Sequence, residues 1–282
     1  MKKFNKDSFS IAGAEFKTKS TLIVLAIAFA CLALFIILMM CGVNVSWYGI
    51  LMAVGFLLAI AFSSQFAKYR ELSKDLPYDL VWWVFPLSLL GARLYYCIFE
   101  GQMSQFFDFM SGGLAVYGGI IGGAIGLIIC CIIKKVNILK AMDIVAPTLI
   151  LGQAIGRIGC YTAGCCYGIE VTNPALQWFP ISYKLMGEWH LATFFYECVL
   201  CLIGFFVLAK VLRKFRFTGI VTFGYMFYYG IVRYFTESFR DSTAQLTSGG
   251  LAVSQILSLI LVVLGTIGIV SIIIRERKKN NI

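Results

Sequence analysis

Charged side chains are scarce in this chain. Asp, Glu, Lys and Arg make up 13% of its 282 residues, whereas 60% are hydrophobic and the mean hydropathy is +0.86. Soluble domains carry about 25% charged residues. The composition therefore excludes a water-soluble domain, and most of the chain must face lipid. Histidine is nearly absent, and we interpret His190, the only one, as an interfacial surface residue rather than a catalytic one.

Long apolar runs account for most of the sequence. A transmembrane helix needs about 20 mostly apolar residues, and no small-x-small cleavage site follows the first run, so we interpret that run as a retained span. The sequence predicts an all-α polytopic membrane protein of about eight spans. They lie at 21–42, 47–66, 79–99, 112–133, 143–161, 192–212, 219–240 and 250–274.

Lysine and arginine mark the orientation of these spans. They cluster at the N-terminus, in alternate connections such as that of Lys68, Arg70 and Lys74, and in the tail, whereas the outward loops hold only Lys184. The excess of basic residues in cytoplasmic loops predicts that both termini are cytoplasmic. Basic loops beside anionic lipid also explain the net charge of +10, so we predict no nucleic-acid partner.

Four arginines, Arg93, Arg157, Arg233 and Arg240, lie within predicted spans. A charge at the centre of a span costs about 2.5–3.5 kcal/mol even on a lenient scale. The orientation places all four in the outer halves of their helices. Snorkelling or helix packing accounts for Arg240 and Arg93. For Arg157 and Arg233 we favour binding of an anion, since the guanidinium group matches the geometry of phosphate.

Other polar residues and glycines share these helix faces. In the seventh span Tyr229, Glu237 and Arg240 follow the spacing that places them on one face with Arg233, either as a salt-bridge ladder or as part of a site. In the fifth span Gly156 leaves room beside Arg157 for a headgroup. Glycines repeated every four residues predict close packing of the fourth span, which starts with Gly112-Gly113, and place Tyr117 beside the same outer layer as the arginines.

Five ordered blocks resemble the phosphatidylglycerol–prolipoprotein diacylglyceryl transferases of bacterial membranes, and together they are more specific than any single motif. The blocks are Trp47-Tyr48-Gly49, Gly91-Ala92-Arg93-Leu94-Tyr95-Tyr96, Gly112-Gly113-Leu114-Ala115-Val116-Tyr117-Gly118-Gly119, Gly156-Arg157-Ile158-Gly159, and Tyr229-Gly230 with Arg233, Glu237 and Arg240. The match implies a transferase core at 47–274 with an outer loop at 162–191. An additional span within 1–46 precedes it, and a cytoplasmic tail at 275–282 follows.

The resemblance implies an enzyme of the bacterial cytoplasmic membrane. It would move the diacylglyceryl group of phosphatidylglycerol to the lipobox cysteine of an exported prolipoprotein and release glycerol phosphate near the outer leaflet. Arg157 and Arg233 would stabilise the leaving phosphate, and a base or hydrogen-bonding relay for the thiol proton would lie near Tyr117, Tyr48 or Tyr229. The residues expected to bind the lipid donor are Arg157, Tyr229, Glu237, Arg240, Arg93 and Gly156.

The chain departs from the family pattern after its Gly-Arg-x-Gly motif. The family continues with Asn-Phe-x-Asn-x-Glu, whereas this chain has a cysteine-rich segment from Cys160 to Gly168. Tyr117 stands where better-known members have a histidine. The family's His-Pro-x-Gln-Leu-Tyr-Glu block is reduced to a similar segment that ends in Tyr196-Glu197.

Ten cysteines are many for this length. Those within spans, Cys31, Cys130, Cys131, Cys198 and Cys201, behave as small apolar residues. Cys160, Cys165 and Cys166 instead cluster in a glycine-rich turn. Packing is the favoured interpretation of this cluster, a disulfide or redox role is the next, and a metal site lacks a fourth ligand. We therefore predict no metal and no cofactor.

Two other functions remain open. The chain could be a paralog that uses another acceptor, chosen by the loop 162–191 with its Trp178 and Trp189. It could also be a non-catalytic phospholipid-binding or transport protein, although no inverted repeat, the usual mark of a transporter, is visible in its hydropathy.

Overall fold

The computed structural model describes residues 8–11, 14–17, 47–101, 103–108, 113–240, 247–248 and 251–280. Its helices are α1 (Trp47–Phe66), α2 (Leu76–Phe99), α3 (Val116–Ile133), α4 (Ile138–Thr162), α5 (Thr193–Lys214), α6 (Ile220–Ser238) and α7 (Val253–Asn280). Short 3₁₀ turns span Ala67–Arg70, Met103–Gln105 and Pro174–Leu176. The predicted first span, 21–42, and Cys31 lie outside the described residues.

Strands are few and short. Three antiparallel pairs form, β1 (Ser8–Ile11) with β2 (Ala14–Lys17), β3 (Ser182–Leu185) with β4 (Glu188–Leu191), and β5 (Thr247–Ser248) with β6 (Leu251–Ala252). In the β3–β4 hairpin Ser182 pairs with Leu191. The predicted all-α polytopic membrane class is therefore confirmed.

The seven helices lie at the positions of the second to eighth predicted spans. Within the described ranges, six of them are long and apolar enough to cross a membrane, and α6 is not among the six. Helix α6 carries Arg233 and Glu237 together with several tyrosines, which lower its hydropathy. Part of the predicted site thus lies on the one described helix that is not among these six.

Helix boundaries differ from the predicted spans where a local signal sets the end. Asn137 accepts a hydrogen bond from the Lys140 amide through its side chain and starts α4 five residues before the predicted 143. Gly113 has a positive φ of 74° and Ala115 is extended, so α3 starts at 116 rather than 112. Helix α7 continues to Asn280, so most of the predicted tail at 275–282 is helical.

Glycines allow α2 and α3 to pack backbone against backbone. A Cβ on Gly118 would collide with the carbonyl oxygen of Gly91, and one on Gly122 would collide with that of Leu87. This confirms the close packing predicted from the glycine repeat. Gly230 gives α6 the same close approach to Ser258 of α7.

The largest buried apolar cluster lies where α1, α4, α5 and α6 meet. Phe66, Ile144, Ile150, Leu212 and Val221 are among its most buried members. The predicted packing role of Cys130, Cys131, Cys198 and Cys201 is consistent with their burial here. Helix α4 crosses this cluster and therefore holds its neighbours in fixed positions.

A buried ion pair closes one end of the cluster. The Nε of Arg70 lies 2.8 Å from Oδ2 of Asp143, and their side chains are 1% and 0% exposed. The guanidinium also donates to backbone carbonyls at the end of α5, those of Leu212 and Phe215, at 3.3 and 3.1 Å. The charge pattern predicts that Arg70 is a loop cation, but the structure buries it, because these acceptors satisfy its donors.

The carboxylate of Asp143 holds the start of α6. Its oxygens accept hydrogen bonds from the amides of Gly219 and Thr222 at 2.8 and 2.9 Å, and from Oγ1 of Thr222. A negative charge at a helix N-terminus also interacts favourably with the helix dipole. One ion pair thereby joins the 3₁₀ turn after α1, the start of α4, the end of α5 and the start of α6.

We expect Asp143→Asn to lower the free energy of unfolding by about 3–5 kcal/mol, because it leaves the Arg70 charge buried without its counterion. Equilibrium unfolding in mixed detergent micelles measures this change. The matched control is Asp79→Asn, since Asp79 pairs with Lys134 at the surface with 36% of its side chain exposed. Equal unfolding curves for the two variants would contradict the role assigned to the ion pair.

Candidate functional site

Glu197 joins two of the arginines predicted from the sequence. Its Oε1 lies 2.8 Å from Nη2 of Arg157, and its Oε2 lies 3.2 Å from Nη1 of Arg233. The carboxylate is 3% exposed, whereas the two arginines are 16% and 18% exposed. Glu197 thus neutralises charge from the interior, and the side chains of the two arginines remain partly exposed.

A second carboxylate extends this network along α6. Oε2 of Glu237 lies 2.7 Å from Nη2 of Arg233 and 3.7 Å from Nη1 of Arg240. The hydroxyl of Tyr229 lies 3.5 Å from Glu197. The predicted clustering of Tyr229, Arg233, Glu237 and Arg240 on one face is confirmed, and the salt-bridge ladder is part of it.

We call Arg157, Arg233, Arg240, Glu197 and Glu237 the arginine cluster. They come from the C-terminal ends of α4 and α6 and from the first turns of α5. Because α5 runs opposite to α4 and α6, these three segments meet at one end of the bundle, opposite Arg70 and Asp143. Three guanidiniums face two carboxylates, which leaves one positive charge in excess. Such a cluster favours the approach of an anion.

Small residues and aromatic rings fix the position of Arg157. A Cβ on Gly156 would lie 3.1 Å from the sulfur of Met52, and one on Gly159 would lie 2.9 Å from the ring of Tyr48. Tyr48 therefore packs on α4 within electrostatic reach of Arg157. One turn deeper, Nε2 of Gln153 donates to the hydroxyl of Tyr225 at 2.9 Å.

The connection between α4 and α5 folds over the same end of the bundle. The amides of Gly168 and Ile169 donate to the carbonyls of Leu191 and Phe239, both at 3.0 Å. His190 contacts the Gly168 carbonyl through Nδ1 at 3.2 Å, and its ring lies 5.0 Å from that of Tyr167. These contacts assign His190 a structural place in the hairpin, consistent with its interpretation as non-catalytic.

The three clustered cysteines lie directly beside the arginines. The sulfurs of Cys160, Cys165 and Cys166 all lie within 4.8 Å of one another. Nη2 of Arg240 lies 3.6 Å from Sγ of Cys166. A hydrogen bond from Cys160, with the positive charges of Arg157 and Arg240, lowers the pKa of Cys166 to about 5 despite its burial.

Two predicted site residues lie away from the cluster. Arg93 is buried in α2, where Nη1 donates to the Gly113 carbonyl at 3.1 Å and the guanidinium lies 5.7 Å from the ring centroid of Tyr96. Arg93 therefore holds the segment before α3. Tyr117 packs against Tyr95 at 6.4 Å between ring centroids, and within the described ranges no hydrogen bond joins it to the cluster.

Sequence reasoning did not assign Glu197 to the site, although the structure places it at the centre. Two signals were present, because Glu197 is a carboxylate within a predicted span and ends the shortened Tyr-Glu block. The buried partner Asp143 was also missed, since it begins a predicted span and was not matched with Arg70.

The fold and the arginine cluster define a polytopic membrane protein with a charged site between its helices. The family model of prolipoprotein diacylglyceryl transferase matches residues 35–271. The chain belongs to this family.

Individual relatives agree with the family model over most of the chain. The phosphatidylglycerol–prolipoprotein diacylglyceryl transferase 1 of Clostridium perfringens is 36% identical over 84% of this chain and 93% of its own length. The transferase of Streptococcus uberis is 37% identical over 83% and 92%, and that of Listeria monocytogenes is 34% identical over 85% and 88%.

We expect Glu197→Gln to destabilise the protein by about 1–3 kcal/mol, because two guanidiniums lose the charge that they share. Thermal unfolding in detergent measures this change. Glu276→Gln is the matched control, since Glu276 pairs with the exposed Lys279 near the end of α7. A Glu197→Gln variant as stable as the control would show that the arginines do not need this carboxylate.

Proposed function

We propose that this protein transfers the diacylglyceryl group of phosphatidylglycerol to the lipobox cysteine thiol of prolipoproteins and releases glycerol phosphate. The observation that carries the proposal is the pair Arg157 and Arg233 on one buried carboxylate, in a chain of this transferase family. The names of the relatives supply the donor and the acceptor class.

The arginine pair suits the departing phosphate. When the thiolate attacks the glycerol carbon, negative charge builds on the phosphate oxygen that leaves. Donors aimed at the position of that charge lower the barrier more than donors that bind substrate and transition state equally. Glu197 takes Nη2 of Arg157, so in this proposal the other N–H groups of Arg157 donate to the phosphate. Arg233 holds Glu197 through Nη1 and Glu237 through Nη2, and it contributes mainly its charge.

The second carboxylate holds the pair in position. Glu237 is 4% exposed and bridges Arg233 and Arg240. It restricts the rotamer of Arg233, and a guanidinium held in place loses less entropy when it binds phosphate. Arg240 contributes charge at the edge of the cluster. Tyr229 lies near Glu197 and is a second hydroxyl on the same face.

In this proposal Tyr48 is the tyrosine that assists the acceptor thiol. It contacts Gly159 and lies near both Arg157 and the cysteines, so its hydroxyl is suited to hydrogen-bond substrate. Tyr117 and Arg93 lie in the α2–α3 pair instead. In this proposal they support the wall of the site rather than the reacting atoms.

The proposed location is the bacterial cytoplasmic membrane, with both termini cytoplasmic and the arginine cluster near the outer leaflet. The distribution of Lys and Arg supports this orientation. Donor lipid would enter sideways between helices, and the connection over 163–192 would face the exported acceptor. The core at 47–274 carries the proposed activity, and the segment 1–46 precedes it.

We expect Arg157→Ala to lower the transfer rate by about 100-fold or more, because it removes a donor that stabilises the leaving phosphate. Transfer of radiolabelled glyceryl from phosphatidylglycerol vesicles to a lipobox peptide measures the rate. Arg213→Ala is the matched control. Arg213 is exposed near the end of α5, and its Nε donates to the Ala209 carbonyl.

Equal losses in the two variants would contradict the assignment of Arg157. Wild-type protein that binds phosphatidylglycerol but transfers nothing to the peptide would overturn the enzymatic proposal in favour of a lipid-binding protein. Arg157→Lys keeps the positive charge but cannot form a bidentate hydrogen bond to phosphate. We therefore expect a transfer rate between those of the wild type and Arg157→Ala.

A further inference from the structure

The three cysteines beside the arginine cluster are held by the backbone. Cys160 lies in the last turn of α4, and its carbonyl accepts a hydrogen bond from the Cys165 amide at 3.1 Å. Gly164 and Cys166 both adopt positive φ values, 61° and 60°. Oγ1 of Thr193, the first residue of α5, donates to the Cys166 carbonyl at 2.7 Å. The turn brings the thiols together before any ligand arrives.

The spacing of the sulfurs suits a thiophilic metal ion. Tetrahedral Zn²⁺ with Zn–S bonds of about 2.3 Å needs sulfurs about 3.8 Å apart. The three sulfurs here lie within 4.8 Å of one another, so small side-chain rotations reach that spacing. Three protein ligands with an open fourth position are the arrangement of catalytic zinc sites, whereas structural sites use four.

The surrounding charges favour a Zn²⁺ ion that is bound by three thiolates. Zn²⁺ with three thiolates carries one negative charge, and the arginine cluster carries one positive charge in excess. Arg240 lies 3.6 Å from Cys166 and can donate to a bound thiolate. Tyr183 packs in the same apolar pocket as Cys160, and its buried hydroxyl has no hydrogen-bond partner among the described residues.

The three thiols also relate to one step of the proposed reaction, the removal of the proton from the acceptor thiol. The acceptor thiol must become a thiolate before it attacks carbon. Among the described residues, Tyr117 lies with Tyr95 in the α2–α3 pair, and His190 contacts Gly168 and Tyr167 within the hairpin. Tyr48 lies beside Gly159, but a phenol has an ordinary pKa of about 10 and is a poor base at neutral pH. A zinc ion deprotonates a thiol that coordinates it.

We propose that Cys160, Cys165 and Cys166 bind one Zn²⁺, and that the acceptor cysteine of the prolipoprotein takes the fourth position as a thiolate. This inference rests on the proposed transfer function. The acceptor S–H bond breaks on coordination, and its proton passes to solvent. The sulfur then bonds to the glycerol carbon, the C–O bond to phosphate breaks, and the electron pair leaves with the glycerol phosphate. The oxidation state of the metal does not change.

Metal binding is tested on the full-length protein in detergent, independently of transfer. Protein stripped with a chelator and reduced is titrated with Zn²⁺, and with Co²⁺ as a spectroscopic probe. We expect one tightly bound ion per chain and the sulfur-to-cobalt charge-transfer absorption of a thiolate site. Cys160→Ser, Cys165→Ser and Cys166→Ser should each weaken binding at least about tenfold. Cys130→Ala is the control, because Cys130 is buried in α3.

The fourth position is tested with the acceptor. A lipobox peptide added to the Co²⁺ protein should shift the absorption bands, whereas a peptide with serine in place of its cysteine should not. Chelation should abolish transfer, and Zn²⁺ should restore it. Lack of Zn²⁺ binding by the reduced protein, or a stable disulfide among the three cysteines in the protein as isolated from the membrane, would overturn the proposal.

The remaining outcomes separate this inference from the proposed function. Metal binding without a peptide-induced shift would leave a structural ion and overturn the activation of the acceptor. Full transfer by metal-free enzyme would overturn the inference and leave the transferase function intact. Metal binding and a peptide-induced shift in a protein without transfer would support the site and contradict the transferase function.

Discussion

Neutralisation of charge inside the membrane is the constraint on which this structure depends. Water does not solvate a charge in the bilayer core, so each buried ion needs a partner of opposite charge. Helix α4 supplies one such ion at each of its ends, Asp143 and Arg157. Asp143 binds Arg70 and the start of α6, and Arg157 binds Glu197 on α5. The two ends of α4 therefore hold α5 and α6, and this alignment places Arg233 beside Glu197.

Much of the fold could be predicted from the sequence, because long apolar runs mark its transmembrane helices. The seven described helices follow the predicted runs, and the glycine repeat correctly predicts the contact between α2 and α3. The ends of the helices were less predictable, because they depend on single local interactions. The cap by Asn137 and the positive φ of Gly113 each move a boundary by several residues.

Only the part of the site that lies on one helix face could be predicted from the sequence. Arg233 and Glu237 lie within α6 and Arg240 follows two residues after its end, so helical spacing brings these residues together whatever surrounds them. Glu197 joins α4, α5 and α6, and a contact between helices leaves no periodic pattern in any of them. The ion pair of Arg70 and Asp143 went unrecognised for the same reason, since 73 positions separate its partners. Arg93 donates to the backbone carbonyls of Phe106 and Gly113, contacts that no side-chain pattern reveals.

The cysteines beside Arg157 change the character of the site more than its charge. The family pattern has asparagine and glutamate side chains in the segment where this chain has Cys160, Cys165 and Cys166. Asparagine is neutral and glutamate is ionised at neutral pH, whereas a thiol can exist in either form. A hydrogen bond from Cys160, together with the positive charges of Arg157 and Arg240, lowers the pKa of Cys166 and favours its thiolate. The segment can thus supply negative charge, as the glutamate of the family pattern would. It does so through sulfur, which prefers soft metal ions to hydrogen-bond donors. If the proposed roles hold, the arginines serve the phosphate of the lipid donor as in the family pattern, and the thiols that surround them are what sets the acceptor side of this site apart.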